Sequence, residues 1–264
     1  MEIKFQGAIN ARDLCDIPCI DGRKIKKGRI VRSSNLSCIT DSDKEILKKY
    51  GLKRIVDFRT EAEVEGAPDK EIEGVVWTFN PIIRALTLGI TKKEGTFKRE
   101  LKEIFLDFTI ELGKDAPEWL SDLYAPLVSD EFSLSHYRNF LDILKENREG
   151  CVLYHCSAGK DRVGVGTMLI LLLLGAKYDD IISDYLITNN SYQATIDEAI
   201  ALGKERNVDP EILAAIGPVN GVDKRYLKRA YDIIMSYGSP EAFFKIALDI
   251  DEKYIEDFRS NYLE

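Results

Sequence analysis

A cysteine and an arginine six positions apart, in the run His155-Cys156-Ser157-Ala158-Gly159-Lys160-Asp161-Arg162, constrain this chain more than any other feature. The apolar stretch Cys151-Val152-Leu153-Tyr154 leads into the run, and a long apolar pattern from Val163 to Leu174 leads out. This reads as strand, tight loop and helix, with a thiol at the loop entrance and a guanidinium at its exit. Backbone N–H groups of such a loop, together with the helix N-terminus, can wrap a tetrahedral oxyanion such as phosphate. The same field favours a thiolate over a thiol and so creates a nucleophile.

By itself a Cys-x5-Arg spacing says little. A buried cysteine at a strand end and a solvated arginine at a helix start would also satisfy it. Context sharpens the reading. Gly159 stands mid-loop, where a positive φ lets the backbone curl around an anion. Arg162 falls in the first helical turn, from which its planar fork can fold back and grip two phosphate oxygens at once.

The loop resembles the signature loop of cysteine-dependent phosphatases. Its Lys160-Asp161 pair is similar to that of the bacterial atypical tyrosine/phosphoinositide phosphatases, a group that includes secreted phosphatases of intracellular pathogens. Other segments fit that family in order: Asn10-Ala11-Arg12-Asp13-Leu14, Arg32-Ser33-Ser34-Asn35-Leu36, Asp57-Phe58-Arg59 with Glu63, Asp184-Tyr185-Leu186 and Tyr237-Gly238-Ser239. The resemblance thus runs from Asn10 to about Arg259. Two positions depart from it. Cys15-Asp16 stands where the family usually has Gly-Gly. Val163 stands where it usually has a Ser or Thr whose hydroxyl bonds the thiolate and aids breakdown of the phosphocysteine. A hydrogen bond to a charged group is worth roughly 1.5–3 kcal/mol, so Val163 bears on turnover rate more than on identity.

The resemblance and the loop chemistry together assign roles. Cys156 is the expected nucleophile, forming a phosphocysteine, and Arg162 the group that binds the equatorial oxygens. Ser157, Ala158, Gly159, Lys160, Asp161 and Arg162 form the expected phosphate cradle. Trp77-Thr78-Phe79-Asn80-Pro81 has no aspartate where a separate acid loop would carry one, so Asp161 is the expected general acid and base. Asp57 is the runner-up. A structural carboxylate paired with Lys160 or with a helix-start amide is the plainer reading of Asp161. Lys160 adds a cation that a substrate with more than one phosphate would use; the plainer reading is a solvated lysine. His155 alternates to the opposite strand face from Cys156 and is expected to brace the loop through backbone bonds, and His136 is expected to be structural. By resemblance, Arg12, Asp13, Asp57 and Arg59 border the pocket; composition alone would make them surface charges or ion pairs.

The expected fold is α/β: a mostly parallel central sheet flanked by helices, cysteine-phosphatase-like, with a helical insertion and a helix-rich C-terminal part. No linker, repeat or low-complexity tract divides residues 1–264, so one phosphatase domain is expected. The stretch Lys92 to Trp119 is charged with helical apolar spacing at Phe97, Leu101, Ile104, Phe105 and Phe108; it reads either as a lid or as a helix packed on the core. Thr40-Asp41-Ser42-Asp43 predicts a capped helix through Lys49, stopped at Gly51. Strands are expected at 29–32, 54–58, 75–79 and 151–155, and helices at 179–188, 191–206, 222–237, 241–248 and 251–262, covering one sheet face.

A net charge of −8 argues against nucleic acid as a partner. Phosphorylated protein or phosphoinositide is the expected substrate. No cofactor or metal is expected: the five cysteines, Cys15, Cys19, Cys38, Cys151 and Cys156, lack zinc spacing and only two histidines accompany them. Reduced thiols in the cytoplasm are expected; Cys15 and Cys19 read first as small buried or half-exposed side chains, with a protective disulfide to Cys156 under oxidation the alternative. A leader removed from the chain would instead make it an exported protein. The apolar run 163–176 is too short to span a bilayer. The competing readings are a catalytically weak pseudophosphatase, supported by Val163 alone, and another thiolate enzyme such as a sulfurtransferase or arsenate reductase, which Lys160-Asp161 fits less well.

Overall fold

The structure is a computed structural model that describes residues 1–85 and 100–264. The elements in chain order are β1 (Arg12–Asp13), β2 (Ile30–Ser33), α1 (Asp41–Lys49), β3 (Leu52–Asp57), α2 (Glu61–Gly66), β4 (Val76–Phe79), α3 (Leu101–Leu112), α4 (Ala116–Asp122), α5 (Tyr124–Leu127), α6 (Glu131–Glu146), β5 (Cys151–His155), α7 (Asp161–Leu173), α8 (Tyr178–Leu186), α9 (Gln193–Glu205), α10 (Pro210–Asn220), α11 (Lys224–Met235), α12 (Pro240–Ala247) and α13 (Glu252–Tyr262).

The sheet order is β1-β2-β5-β3-β4, parallel except for the β1–β2 pair. This is the mostly parallel, helix-flanked α/β sheet that alternating strands and helices imply. Side chains alternate across it. Ile30, Val56, Val152 and Tyr154 enter the larger core; Val31, Ile55, Cys151 and Leu153 enter a smaller one beneath α1. Central β5, covered on both faces, is buried along its whole length and reads Cys151-Val152-Leu153-Tyr154-His155 without alternation in polarity.

β5 lies centrally, and its register aligns His155 with Ser33 of β2 and Asp57 of β3. The C-terminal ends of three neighbouring strands therefore open at one place, where α/β sheets bind ligands. From there α7 runs back through the larger core with Arg162 to Leu173 all buried. Gly164 and Gly166 allow close packing: a Cβ at Gly164 would stand 2.8 Å from the Tyr185 ring, and one at Gly166 3.1 Å from that of Phe58.

The C-terminal helices divide. α8, α11, α12 and α13 cover the sheet face that carries α7. α9 and α10 instead pack on α3, in a separate cluster of Leu106, Ile196, Ala199 and Ile216. Within the stretch 92–119, residues 92–99 lie outside the described residues; the rest forms α3 and the start of α4. α10 has no counterpart among the helices expected from sequence. Among the described residues no helix is long and apolar enough to cross a membrane.

Candidate active site

Thr60 and Glu63 form a capping box at the start of α2: the Thr60 hydroxyl accepts from Glu63 N–H, and the Glu63 carboxylate accepts from Thr60 N–H. That local motif fixes Glu63 at the end of β3, beside the β5–α7 loop. The fork of Arg162 meets it there, Nη1 to Oε2 at 2.7 Å and Nη2 to Oε1 at 2.8 Å, while Nη1 also reaches Phe58 O at 3.3 Å. The Ser157 hydroxyl donates to the same carboxylate. Burial alone would raise the Glu63 pKa, but the Arg162 bonds and charge overcome it and lower the value to about 2. Burial opposes the charge on Arg162 as well, yet Glu63 and the neighbouring Cys156 and Asp161 raise its pKa further. The remaining donor, Arg162 Nε, is buried and has no partner among the described residues.

The loop backbone is turned inside out relative to a helix. Ser157 O accepts from Asn35 N and Nδ2 (3.2 and 2.9 Å), Ala158 O from the Tyr192 hydroxyl (3.0 Å), and Gly159 O from Asn10 Nδ2 and Arg32 Nη2 (both 2.7 Å). Across each planar peptide the N–H points opposite to the C=O. With these carbonyls drawn outward, the N–H groups of Ala158, Gly159 and Lys160 face the concave side, where they have no acceptor among the described residues. Gly159 makes the curl possible, with φ +68° and no room for a Cβ, which would lie 2.5 Å from Ser33 O.

A cationic and anionic scaffold underlies the loop. Arg12 pairs with Asp184 (Nε–Oδ1 2.8 Å) and Arg32 reaches the same carboxylate at 3.3 Å while bonding Thr167 at 2.8 Å. Burial would raise the Asp184 pKa, but the two guanidiniums lower it. Burial, with Arg12 nearby, brings Arg32 down to about 10. On the strand's other face His155 Nδ1 lies 3.2 Å from Cys156 O and Nε2 2.8 Å from Asp69. Burial lowers the ring's pKa, and the Asp57 and Asp69 carboxylates more than reverse this. Asp57, Asp69 and His155 bring their donor atoms within 4.8 Å of one another, as a metal site would. The Arg59 guanidinium already bridges both carboxylates, at 2.7 and 3.0 Å, so the cluster is a neutralised ion network rather than a vacant ligand set.

At the C-terminal half of the loop, Asp161 Oδ1 accepts from the Tyr124 hydroxyl, which also meets the Tyr185 hydroxyl at 2.6 Å. Lys160 Nζ donates to Asn220 O and Gly221 O (3.1 and 3.0 Å) at the end of α10. A largely apolar cavity of about 70 Å³ ends on this half of the loop, between Lys160, Asp161 and Arg162 on one side and Leu120, Tyr124 and Tyr226 on the other. The Cys156 side chain, 2% exposed, is not one of its walls.

Of the residues expected at the site, Cys156 and Ser157 to Arg162 come together in one loop. Asp57 is wholly buried, with both oxygens bonded by Arg59, and this disfavours its runner-up role as a proton donor. None of Arg12, Asp13, Asp57 and Arg59, expected to border the pocket, lines the cavity at the loop, and Arg12 and Asp13 line a separate one with Asp184. Arg12 lies under the loop, and Asp13, one strand position on and hence on the opposite face, bonds Cys15 N and Gly28 N. All five cysteines are free. Cys15 sits near the strand starts, since Leu14 N bonds Ile30 O, and Cys19 lies beside the far end of α7, where Ile20 N bonds Leu174 O. Cys19 is thus roughly the length of that helix, about 20 Å, from Cys156, and Cys15 is separated from it by the rise of β2, about 10 Å, so neither approaches it as a disulfide partner.

Sequence reasoning missed Tyr124, Tyr192 and Asp69 altogether. It saw Glu63 and Asn10 only as parts of larger resemblances. The Thr60-x-x-Glu63 capping box was a signal for where Glu63 is fixed, though not for its partner.

Over residues 3–264 the sequence matches the family described as the tyrosine phosphatase family. It is similar to a Cupriavidus necator protein provisionally named a tyrosine-protein phosphatase, 27% identical over 265 residues, covering 99% of this chain and 88% of that one. It is 28% identical to the triple specificity protein phosphatase PtpB of Mycobacterium tuberculosis, over 92% of this chain and 93% of that one. A tyrosine-protein phosphatase of Nostoc commune is 23% identical over 92% of this chain and 76% of its own.

Proposed function

The chain belongs to the tyrosine phosphatase family, and on that premise we propose that it hydrolyses phosphomonoesters, phosphotyrosine first among them, through a phosphocysteine formed on Cys156. The observation that carries this reading is the unpartnered Arg162 Nε beside inward-facing loop amides. Together they are donors arranged for the oxygens of a phosphoryl group. Glu63 holds the rest of the guanidinium fixed, so little reorganisation accompanies substrate binding.

In the first step the Cys156 sulfur attacks phosphorus while the bond to the leaving oxygen breaks, and Asp161 protonates that oxygen. In the second, Asp161 takes a proton from water, whose oxygen attacks phosphorus and expels the thiolate. Arg162 and the loop amides supply the positive charge for both steps, so neither step requires a metal ion. Lys160 donates two of its three N–H groups to the α10 carbonyls, which leaves one donor for a ligand, and it lines the cavity at the loop. This supports acceptance of substrates with a second phosphate, phosphoinositides included, and agrees with the broad specificity named for the Mycobacterium tuberculosis relative.

The test is hydrolysis of para-nitrophenyl phosphate in EDTA by the wild type and by Cys156→Ser. Turnover in the wild type and none in the variant is expected. Activity surviving in Cys156→Ser contradicts the nucleophile assignment. Tight phosphopeptide binding with no wild-type turnover contradicts the enzymatic reading in favour of a binding module.

A further inference from the structure

The hydrogen-bond chain at the end of the loop has a defined direction. Tyr124, at the start of α5, is 3% exposed, and Tyr185 of α8 is 1% exposed. Among the described residues, the Tyr124 hydroxyl is the hydrogen-bond partner of the Tyr185 hydroxyl and no other is present. A phenol has one proton to give. Tyr124 gives its proton to Asp161 Oδ1, so Tyr185 must give its own to Tyr124. Burial first, then the Asp161 charge, raises the ionisation of both phenols well above 10, so both remain donors. The geometry is built in. The Tyr185 ring occupies the space where any side chain at residue 164 would stand, and the Tyr124 ring is wedged between Tyr185 and Tyr226, with centroids 6.4 and 5.6 Å away.

We propose that Tyr124 is a positioning residue for Asp161: its hydroxyl, oriented by Tyr185, holds Oδ1 as an acceptor, so that the exchanged proton is carried on Oδ2. This rests on the reading of Asp161 as general acid and base. In the first step Oδ2 loses its proton to the leaving-group oxygen as the S–P bond forms and the P–O bond breaks. The resulting carboxylate keeps the Tyr124 bond on Oδ1. In the second step Oδ2 takes a proton from water as the new P–O bond forms and the S–P bond returns its electron pair to sulfur. One hydroxyl thus serves both protonation states without moving, which a water molecule in its place would not ensure.

The experiment measures kcat/KM over a series of aryl and alkyl phosphates for the wild type, Asp161→Asn, Tyr124→Phe, Tyr185→Phe and the Tyr124→Phe/Asp161→Asn double variant. A general acid contributes on the order of 10²–10⁴-fold. Tyr124→Phe is expected to lose about 10–100-fold on alkyl phosphates and far less on para-nitrophenyl phosphate. Tyr185→Phe is expected to show a smaller loss with the same selectivity. In the Asp161→Asn background Tyr124→Phe is expected to add no further selectivity, and in the single variant the alkaline limb of the pH profile moves to higher pH. If Asp161→Asn is selective against poor leaving groups but Tyr124→Phe and Tyr185→Phe lower all substrates equally, or none, the positioning role is overturned and the Asp161 role stands. If Asp161→Asn itself lowers all substrates equally, the general-acid reading fails, and the positioning role fails with it.

Discussion

Arg162 and Glu63 face each other through two parallel bonds of 2.7 and 2.8 Å, although they stand 99 positions apart in the chain. Bidentate pairs fix orientation as well as charge. Replacing Glu63 with Gln leaves a buried guanidinium without its counter-charge, a change that costs about 3 kcal/mol. It also frees the fork to rotate, and small misplacements of a catalytic group cost on the order of 10²-fold. We expect Glu63→Gln to lower kcat/KM by roughly that factor, and denaturant unfolding to show the stability loss.

The acid limit of stability follows from the same carboxylate. Glu63 ionises near 2 in the fold, below its ordinary 4.5. Its contribution is therefore full above 4.5 and is lost as pH falls from 4.5 toward 2. Asp69 and Asp184 are lowered too and act in the same direction. His155 works oppositely: its pKa is raised above 6.5, so its contribution is full below 6.5 and is lost as pH rises through the folded value. Unfolding free energy measured against pH is expected to be greatest between these limits, and Glu63→Gln is expected to flatten the acid side.

Gly159 lies in the left-handed region with Ser33 O where a Cβ would go. Gly159→Ala therefore meets both a strained φ and a backbone clash, and the loop must open to relieve them. Loss of phosphate protection in thermal melts, together with loss of turnover, is the expected outcome.

How far this could be foreseen depended on sequence separation. β5 was legible to the residue, because an apolar run ends on the loop motif, and the α1 cap was legible from Thr40 and Asp43, three positions apart. α10 was not: Asp209-Pro210 signals its start, but Gly217 and Pro218 read as a break, and its apolar face is used against α3, α4 and α9 rather than the sheet. The loop's own residues were legible for the same reason as β5. Their supports were not, because Tyr124, Asp184 and Glu63 meet the loop only through packing of distant elements. Arg12 and Asp13 were grouped by resemblance, yet strand alternation sends them to opposite sides.

Asp184 tests that hidden support. Its carboxylate is the counter-charge to Arg12 and Arg32 together, and Arg32 in turn holds Gly159 O. Asp184→Asn leaves two buried guanidiniums facing each other, a loss of about 3–5 kcal/mol. A fall in melting temperature is expected, along with weaker phosphate binding in whatever remains folded.

The central claim is a covalent bond between phosphorus and the Cys156 sulfur. Rapid acid quenching during turnover of a phosphomonoester, followed by intact mass and peptide mapping, tests it directly. One added phosphoryl group, mapped to the peptide containing Cys156 and absent from Cys156→Ser, is the expected result. Full turnover with no phosphorylated protein at any quench time, or a phosphoryl group mapped to another residue, would contradict it.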